Sequence, residues 1–201
     1  RVGGWLDAPV TLTGRGAAAP AVSITGGTAD LRQAAFGESG SGESGPLSLR
    51  LDRLTISEGI ALTGMRGDFQ ARRGLQGQFT GRVNGAAPIR GAVVPTPAGT
   101  AVQIVTDAAG ETLAAAGVLE NIRGGEMQLT LSPTGAEGTY NGRLRMTNAR
   151  RFKTPALTDL INAVSVVGLI DQLNAGGILL GDVEAEFQLS PNLLTLFYSS
   201  A

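Results

Sequence analysis

Strict alternation of apolar and polar residues, repeated in segment after segment, limits this chain more than any other feature. Residues 46–52, PLSLRLD, put Leu47, Leu49 and Leu51 on one side and Ser48, Arg50 and Asp52 on the other. Residues 78–84, QFTGRVN, oppose Phe79, Gly81 and Val83 to Gln78, Thr80 and Arg82. In 142–147 Leu144 and Met146 alternate with Arg143 and Arg145. In 182–189 Val183, Ala185, Phe187 and Leu189 alternate with Asp182, Glu184, Glu186 and Gln188. Successive side chains of a strand point to opposite faces, so period two means a sheet with one apolar and one wet face, as antiparallel strands build it. The same reading predicts strands near 10–14, 22–33, 46–57, 60–64, 67–73, 76–84, 88–95, 100–106, 126–133, 138–148, 179–189 and 193–198, many of them separated by glycine-containing turns. Leu54 and Ile56 follow Leu51 with shifted parity, which predicts a bulge or bend. The low-complexity stretch 37–46, GESGSGESGP, reads as a flexible loop between strands rather than a domain boundary, so residues 1–201 are taken as one β-rich domain.

Two stretches break the alternation and predict short helices. In 107–125, Leu113, Ala114 and Ala116 suit a helix stopped near Gly117. In 154–177, Thr154 is a good N-cap and Pro155 suits the first helical position. Leu157, Leu160, Ile161 and Val164 then form one helix face, and Val166, Leu169, Ile170 and Leu173 repeat the spacing. Val164 to Val166 is about 200° around a helix, so the quartets cannot share a face of one straight rod. Two helices with a bend near Ser165 and Gly168, ended by Gly176 and Gly177, fit better. Each insertion is a helical segment, a glycine pair (Gly124–Gly125, Gly176–Gly177) and an alternating strand, so a repeated helix–strand unit is expected. The polar side of the second insertion carries Asp159, Asn162, Asp171, Gln172 and Asn174 but no Lys or Arg, which argues against direct docking on an anionic bilayer.

Composition narrows the chemistry. The chain has no cysteine, hence no disulfide, thiolate metal site or cysteine nucleophile, and no histidine, which removes Ser-His-Asp triads and nearly all catalytic zinc sites. We therefore expect a protein that is not an enzyme and that has neither cofactor nor metal. Hydrophobic residues make up 42% and charged residues 16%, apolar enough for a core, and the formal net charge of −1 gives no global field for nucleic acid. No apolar run reaches about 18 residues, the length a bilayer-spanning helix needs. Glycine-rich pieces such as GRGAAAP and GGTAD lack the phosphate-loop pattern and read as turns. Glu120, Glu126, Glu184 and Glu186 offer carboxylates, but the last two alternate on a polar strand face, the ordinary solvent pattern. A basic run, Arg143, Arg145, Arg150, Arg151 and Lys153, reads either as a solvated strand face and loop or as a place for phosphate-bearing head groups.

The segment 139–189 carries a resemblance. A strand ends in Arg150 and Phe152, then Pro155 opens the Leu157 helix, Ser165–Gly168–Leu169 turns into a second helix, and Gly176–Gly177 precede the acidic–apolar strand 182–189. This order resembles the C-terminal region of the AsmA-like envelope proteins. The element 107–128, with Asp107, Gly110, Leu113, Gly117 and Arg123–Gly124–Gly125, looks like the part of that family that precedes it. The likeness covers roughly residues 100–198; residues 1–99 match only as generic strands. The family often has glycine where Ala175 stands and an aromatic near Leu180. The resemblance implies a piece of a longer protein of bacteria with two membranes, tethered to the inner membrane and projecting a bent β-sheet into the periplasm. It also implies an apolar face that carries phospholipid acyl chains between membranes in outer-membrane biogenesis.

The expected fold is mainly β, a curved antiparallel sheet of groove or open-barrel type with two or three short helices packed at one end. The expected ligand is phospholipid, with Leu144, Met146, Val183, Ala185, Phe187, Leu189 and the two helix quartets as candidate lining. Arg143, Arg145, Arg150, Arg151 and Lys153 are the candidate head-group contacts. Three competitors follow from the same residues. In a structural or assembly module the helices would plug their own sheet. A secreted β-solenoid adhesin would need a fixed repeat, and none is seen. An enzyme would need a carboxylate cluster.

Overall fold

The alternating segments pair into one long sheet. The computed structural model describes residues 4–33, 44–71, 74–136, 138–151, 178–179, 182–190 and 193–200. The strands before the helix are β1 (Leu6–Asp7), β2 (Val10–Arg15), β3 (Ala18–Thr25), β4 (Thr28–Asp30), β5 (Ser44–Ser57), β6 (Ile60–Ala71), β7 (Leu75–Val83), β8 (Ala87–Thr96) and β9 (Gly99–Thr106). Helix α1 (Ala109–Ala115) is followed by β10 (Ile122–Arg123), β11 (Glu126–Pro133), β12 (Tyr140–Thr147), β13 (Arg150–Arg151), β14 (Ile178–Leu179), β15 (Val183–Ser190) and β16 (Leu193–Ser200). Leu31–Gln33 form a 3-10 turn. Among the described residues the main sheet is curved and unclosed, ordered β1-β4-β5-β6-β7-β8-β9-β11-β12-β15-β16, with β3 beside β5 and β2 outside β3.

From β5 to β16 every neighbour pairs antiparallel, as one-sided alternation demands. The expectation of a wholly antiparallel sheet fails at one edge, where β3 and β4 run parallel to β5, from Val22↔Leu47 to Asp30↔Thr55. A parallel neighbour cannot be reached by a tight hairpin, and residues 31–43 provide the longer connection. Of the loop expected at 37–46, residues 44–46 already belong to β5, and the rest lie outside the described residues.

The strands expected at 60–64 and 67–73 are a single strand, β6. The break between them is a bulge: Gly64 takes φ 57° and the register with β7 shifts between Thr63 and Arg66. One extra residue flips the parity, so Leu62 and Met65, three apart, are both buried. The parity change on β5 lies opposite, with Leu51 paired to Met65 and Leu54 to Leu62. Between β3 and β4 the chain breaks at the same level, at Gly26 and Gly27, with φ 74° and 71°. The Gly27 N–H donates to the Asp52 carboxylate (2.8 Å), and the Gly27 carbonyl accepts from the Asp52 N–H (2.9 Å). A single kink thus crosses neighbouring strands.

Burial follows the alternation. Leu51, Leu54, Leu62, Met65, Phe69, Phe79, Val83 and Ile89 form the main cluster, closed at the edge by Leu6 and Ile24. A second cluster packs α1, through Ala109 and Leu113, on Ile122, Met127, Met146 and Ala149. The helix expected within 107–125 is α1, and Gly117, with φ 71°, follows its C-cap Ala116. Asn84 ties this helix to the sheet. Its side-chain N–H donates to the Ala115 carbonyl (2.7 Å) and the Gly59 carbonyl (2.6 Å), and its side-chain oxygen accepts from the Ala61 N–H (2.9 Å).

The two insertions leave from the same end of the sheet. Strand β9 ends beside the start of β11 (Met127↔Thr106), and β12 ends beside the start of β15 (Met146↔Val183). There β10, β13 and β14 form a small separate sheet. The helices expected over 154–177 lie outside the described residues. The repeated unit is imperfect: Gly124–Gly125 run straight into β11, whereas β14 stands between Gly176–Gly177 and β15.

Candidate apolar binding face

Register turns the strands into rows that cross the sheet. One row runs through Val22, Leu47, Phe69, Gly77, Val93, Val102, Leu131, Gly142, Phe187 and Leu196. The next runs through Ile24, Leu49, Gly67, Phe79, Gly91, Ile104, Leu129, Leu144 and Ala185. A third includes Met127, Met146 and Val183, at the end from which the insertions leave. None of these positions carries a charge.

The rows are not equally covered. Met127 and Met146 are 3% and 1% exposed, because α1 and its neighbours pack there. In the first two rows Val93, Val102, Ile104, Leu129, Leu131, Leu144, Ala185 and Phe187 are only half-buried, and Leu196 is 55% exposed. A strip of aliphatic surface therefore stays partly open toward β16.

The aromatic rings on this face lie down rather than stand up. Phe69 covers Gly67 and Gly77, Phe79 covers Gly91, and Phe187 covers Gly142; a Cβ at any of these glycines would overlap the ring. Glycine opposite an aromatic lets the ring fold over the neighbouring strand and shields that strand's backbone. The result is a smooth floor of methyl groups and ring faces.

The predicted lining residues divide accordingly. Leu144, Val183, Ala185, Phe187 and Leu189 are half-buried on strands β12 and β15. Met146 is fully buried and belongs to the protein's own core, so it is not available as lining. Leu157, Leu160, Ile161, Val164, Val166, Leu169, Ile170 and Leu173 lie outside the described residues. Val93, Val102, Ile104, Leu129 and Leu131 extend the strip and were not anticipated as lining. Their strands were legible, but only the register shows that they continue the rows of β12 and β15.

Of the predicted head-group arginines, Arg143 and Arg145 sit on the opposite face of the main sheet. Arg143 donates to Glu186 at 3.0 and 2.5 Å, and Arg145 donates to Glu184, at 2.8 Å from Nε and also from its terminal nitrogen. The hydrogen bond to the Glu184 carboxylate, helped by its charge, raises the Arg145 pKa above the ordinary value. Glu184 and Glu186 thus serve as cross-strand ion-pair partners. Arg150 and Arg151 form β13, paired with both β10 and β14, and Lys153 lies outside the described residues. Among the described residues, Arg143 and Arg145 are engaged away from the apolar face.

Among the described residues no helix is long and apolar enough to cross a membrane. Compared with known proteins, the chain matches no family model, no curated protein and no solved structure.

Proposed function

We propose that the half-open apolar face is a track for phospholipid acyl chains, and that the chain is a non-enzymatic domain of an AsmA-like protein serving lipid transport between the membranes of a bacterial envelope. The observation that carries this reading is the unbroken pair of uncharged rows from β5 to β15. Along its half-open part, β8-β9-β11-β12-β15-β16, with roughly 4.8 Å between strands, the strip is on the order of 24 Å long. One leaflet of hydrocarbon is roughly 15 Å deep, half of a bilayer core, so the strip is longer than a single tail. Tails laid on Leu129, Leu131, Val102 and Phe187 would leave water at about 25 cal/mol per Å² covered, with head groups remaining in solvent at the open edge. No bond is made or broken in this mechanism.

The test is direct. The purified chain is extracted with organic solvent and its lipids are weighed by mass spectrometry, in parallel with Leu131→Asp at the centre of the strip. Circular dichroism checks that the variant is folded. Stoichiometric phospholipid on the parent and its loss from a folded variant are expected. A lipid-free parent, or a folded variant that keeps the parent's lipid, refutes the reading.

A further inference from the structure

The other face of the sheet holds a second concavity. It is a groove of ≈ 420 Å³ across β6, β7, β8 and β9, on the side away from the apolar rows. Two rows of the pairing pattern make it. One runs Arg66, Thr80, Arg90, Val105 and the other Asp68, Gln78, Ala92, Gln103. The hollow follows from side-chain length: Thr80 and Ala92 are short, and Arg66, Asp68, Gln78, Arg90 and Gln103 around them are long. Arg66 and Arg90 flank Thr80 from the strands on either side of it, a span of roughly 9–10 Å between backbones.

Their charge is not used up by the fold. Among the described residues the Arg66 side chain has no hydrogen-bond or ion-pair partner. Arg90 has one partner, Asp107, at 3.2 Å, with both side chains well exposed, a pairing that contributes little. The acid on the rim, Asp68, is already engaged: it accepts from Arg50 at 3.0 and 3.2 Å and from the Ser48 hydroxyl at 2.8 Å. Strands β5 to β8 carry five arginines, Arg50, Arg53, Arg66, Arg82 and Arg90, and two acids, Asp52 and Asp68; with Asp107 beside Arg90 counted in, the local excess is +2 in a chain whose total is −1. Like charges set two strands apart repel unless an anion lies between them.

The geometry points to an oxyanion site in this groove, with Arg66 and Arg90 holding a phosphate group over the Thr80 hydroxyl. Two guanidinium forks and a hydroxyl are donors that suit the several acceptor oxygens of a phosphate better than the two of a carboxylate. Gln78 and Gln103 can both donate and accept, so the remainder of the ligand would be hydroxylated. The class is a hydroxylated phosphate ester, either a free monoester or the diester head group of a lipid. The site is independent of what the apolar face carries.

The parent chain is titrated by calorimetry with inorganic phosphate and glycerol phosphate, and by flotation with phosphatidylglycerol vesicles and with neutral phosphatidylcholine vesicles. Arg66→Gln and Arg90→Gln are each expected to weaken binding on the order of tenfold. Arg53→Gln removes the same charge from the same face outside the groove, and is expected to leave binding within about twofold, since exposed charges act weakly over that range. Amide shifts at Thr80, Gln78 and Gln103 on phosphate addition would locate the ligand. Binding of the soluble anions assigns a free phosphomonoester; binding of the phosphatidylglycerol vesicles alone, sensitive to Arg66 and Arg90, assigns the lipid head group. No binding of either, or equal weakening by Arg53→Gln, overturns the site.

Discussion

Asn84 offers the sharpest test of how helix and sheet are joined. It occupies the first central position of the β7–β8 hairpin turn with φ 46°, followed by Gly85 with φ 78°, the pattern of a type I′ turn. Its side chain makes three hydrogen bonds, to Ala61, Gly59 and Ala115. Asn84→Gly keeps the backbone conformation and loses all three. At about 0.5–1 kcal/mol each, the low half of the usual range because the turn is exposed, the loss is about 1.5–3 kcal/mol. Asn84→Ala adds the cost of a Cβ in the left-handed region, about 1 kcal/mol more. Urea unfolding followed by circular dichroism reads this as a midpoint shift of about 1 M for the glycine variant and about 1.5 M for the alanine variant, with a slope near 2 kcal/mol/M. Hydrogen exchange of the α1 amides should accelerate more than that of β7 and β8, because the helix loses its tie at Ala115. An alanine variant within about 0.5 kcal/mol of the parent would refute the reasoning, as would a glycine variant less stable than the alanine one.

Two further outcomes follow from contacts on the two faces. Gly91→Ala and Gly142→Ala both drive a methyl into a phenyl ring, but Phe79 is buried whereas Phe187 is half-buried and can swing toward solvent. The first should therefore cost about 1–3 kcal/mol and the second clearly less in the same urea assay; the reverse order would show that the rings do not lie where described. Asp68 should titrate below the ordinary carboxylate value of about 3.9, because Arg50 and then Ser48 hydrogen-bond its charged form. A lowered folded pKa favours the carboxylate in the folded state, so its stabilisation is present above the ordinary value and disappears as pH falls through the folded one. Carbon-detected NMR should place the Asp68 midpoint low in the parent and higher in Arg50→Gln; an unchanged midpoint in the variant would dissociate Asp68 from Arg50.

What could be read from the residues, and what could not, divides along a physical line. Strand identity is local, and Leu47, Leu49, Leu51 or Val183, Ala185, Phe187 announce it through parity alone. The helix at 109–115 is equally local, set by Leu113 and stopped at Gly117. Partner choice is not local. Nothing in Val22–Thr25 says that it lies parallel to Leu47–Arg50, and nothing in Leu129 or Leu131 says that they join the row of Phe187. Gly64 looks like a turn residue and so splits β6 in two, because a positive φ serves a bulge as well as a hairpin. The arginines at 143 and 145 were candidates for ligand contact until Glu184 and Glu186 proved to sit directly across from them. Arg66 and Arg90 carry no local signal of a shared site, since they are far apart in sequence and only pairing through β7 brings them to the same hollow.

Connectivity gives the sheet an order of assembly. From β5 to β9 each strand meets its successor through a connection no longer than 72–74 or 84–86, so every contact closes a short loop. Pairing of β12 with β15 must wait for residues 148–182 to be spanned, at a greater loss of chain entropy before any ladder bond is gained. The central meander should therefore zip early and hold, while β15 and β16 dock late as a hairpin of their own. The same inequality operates in the native state, where the last hairpin is the part that peels away at least cost. The apolar strip would then open from the β16 side, as a hem lifts, without disturbing the strands that anchor it.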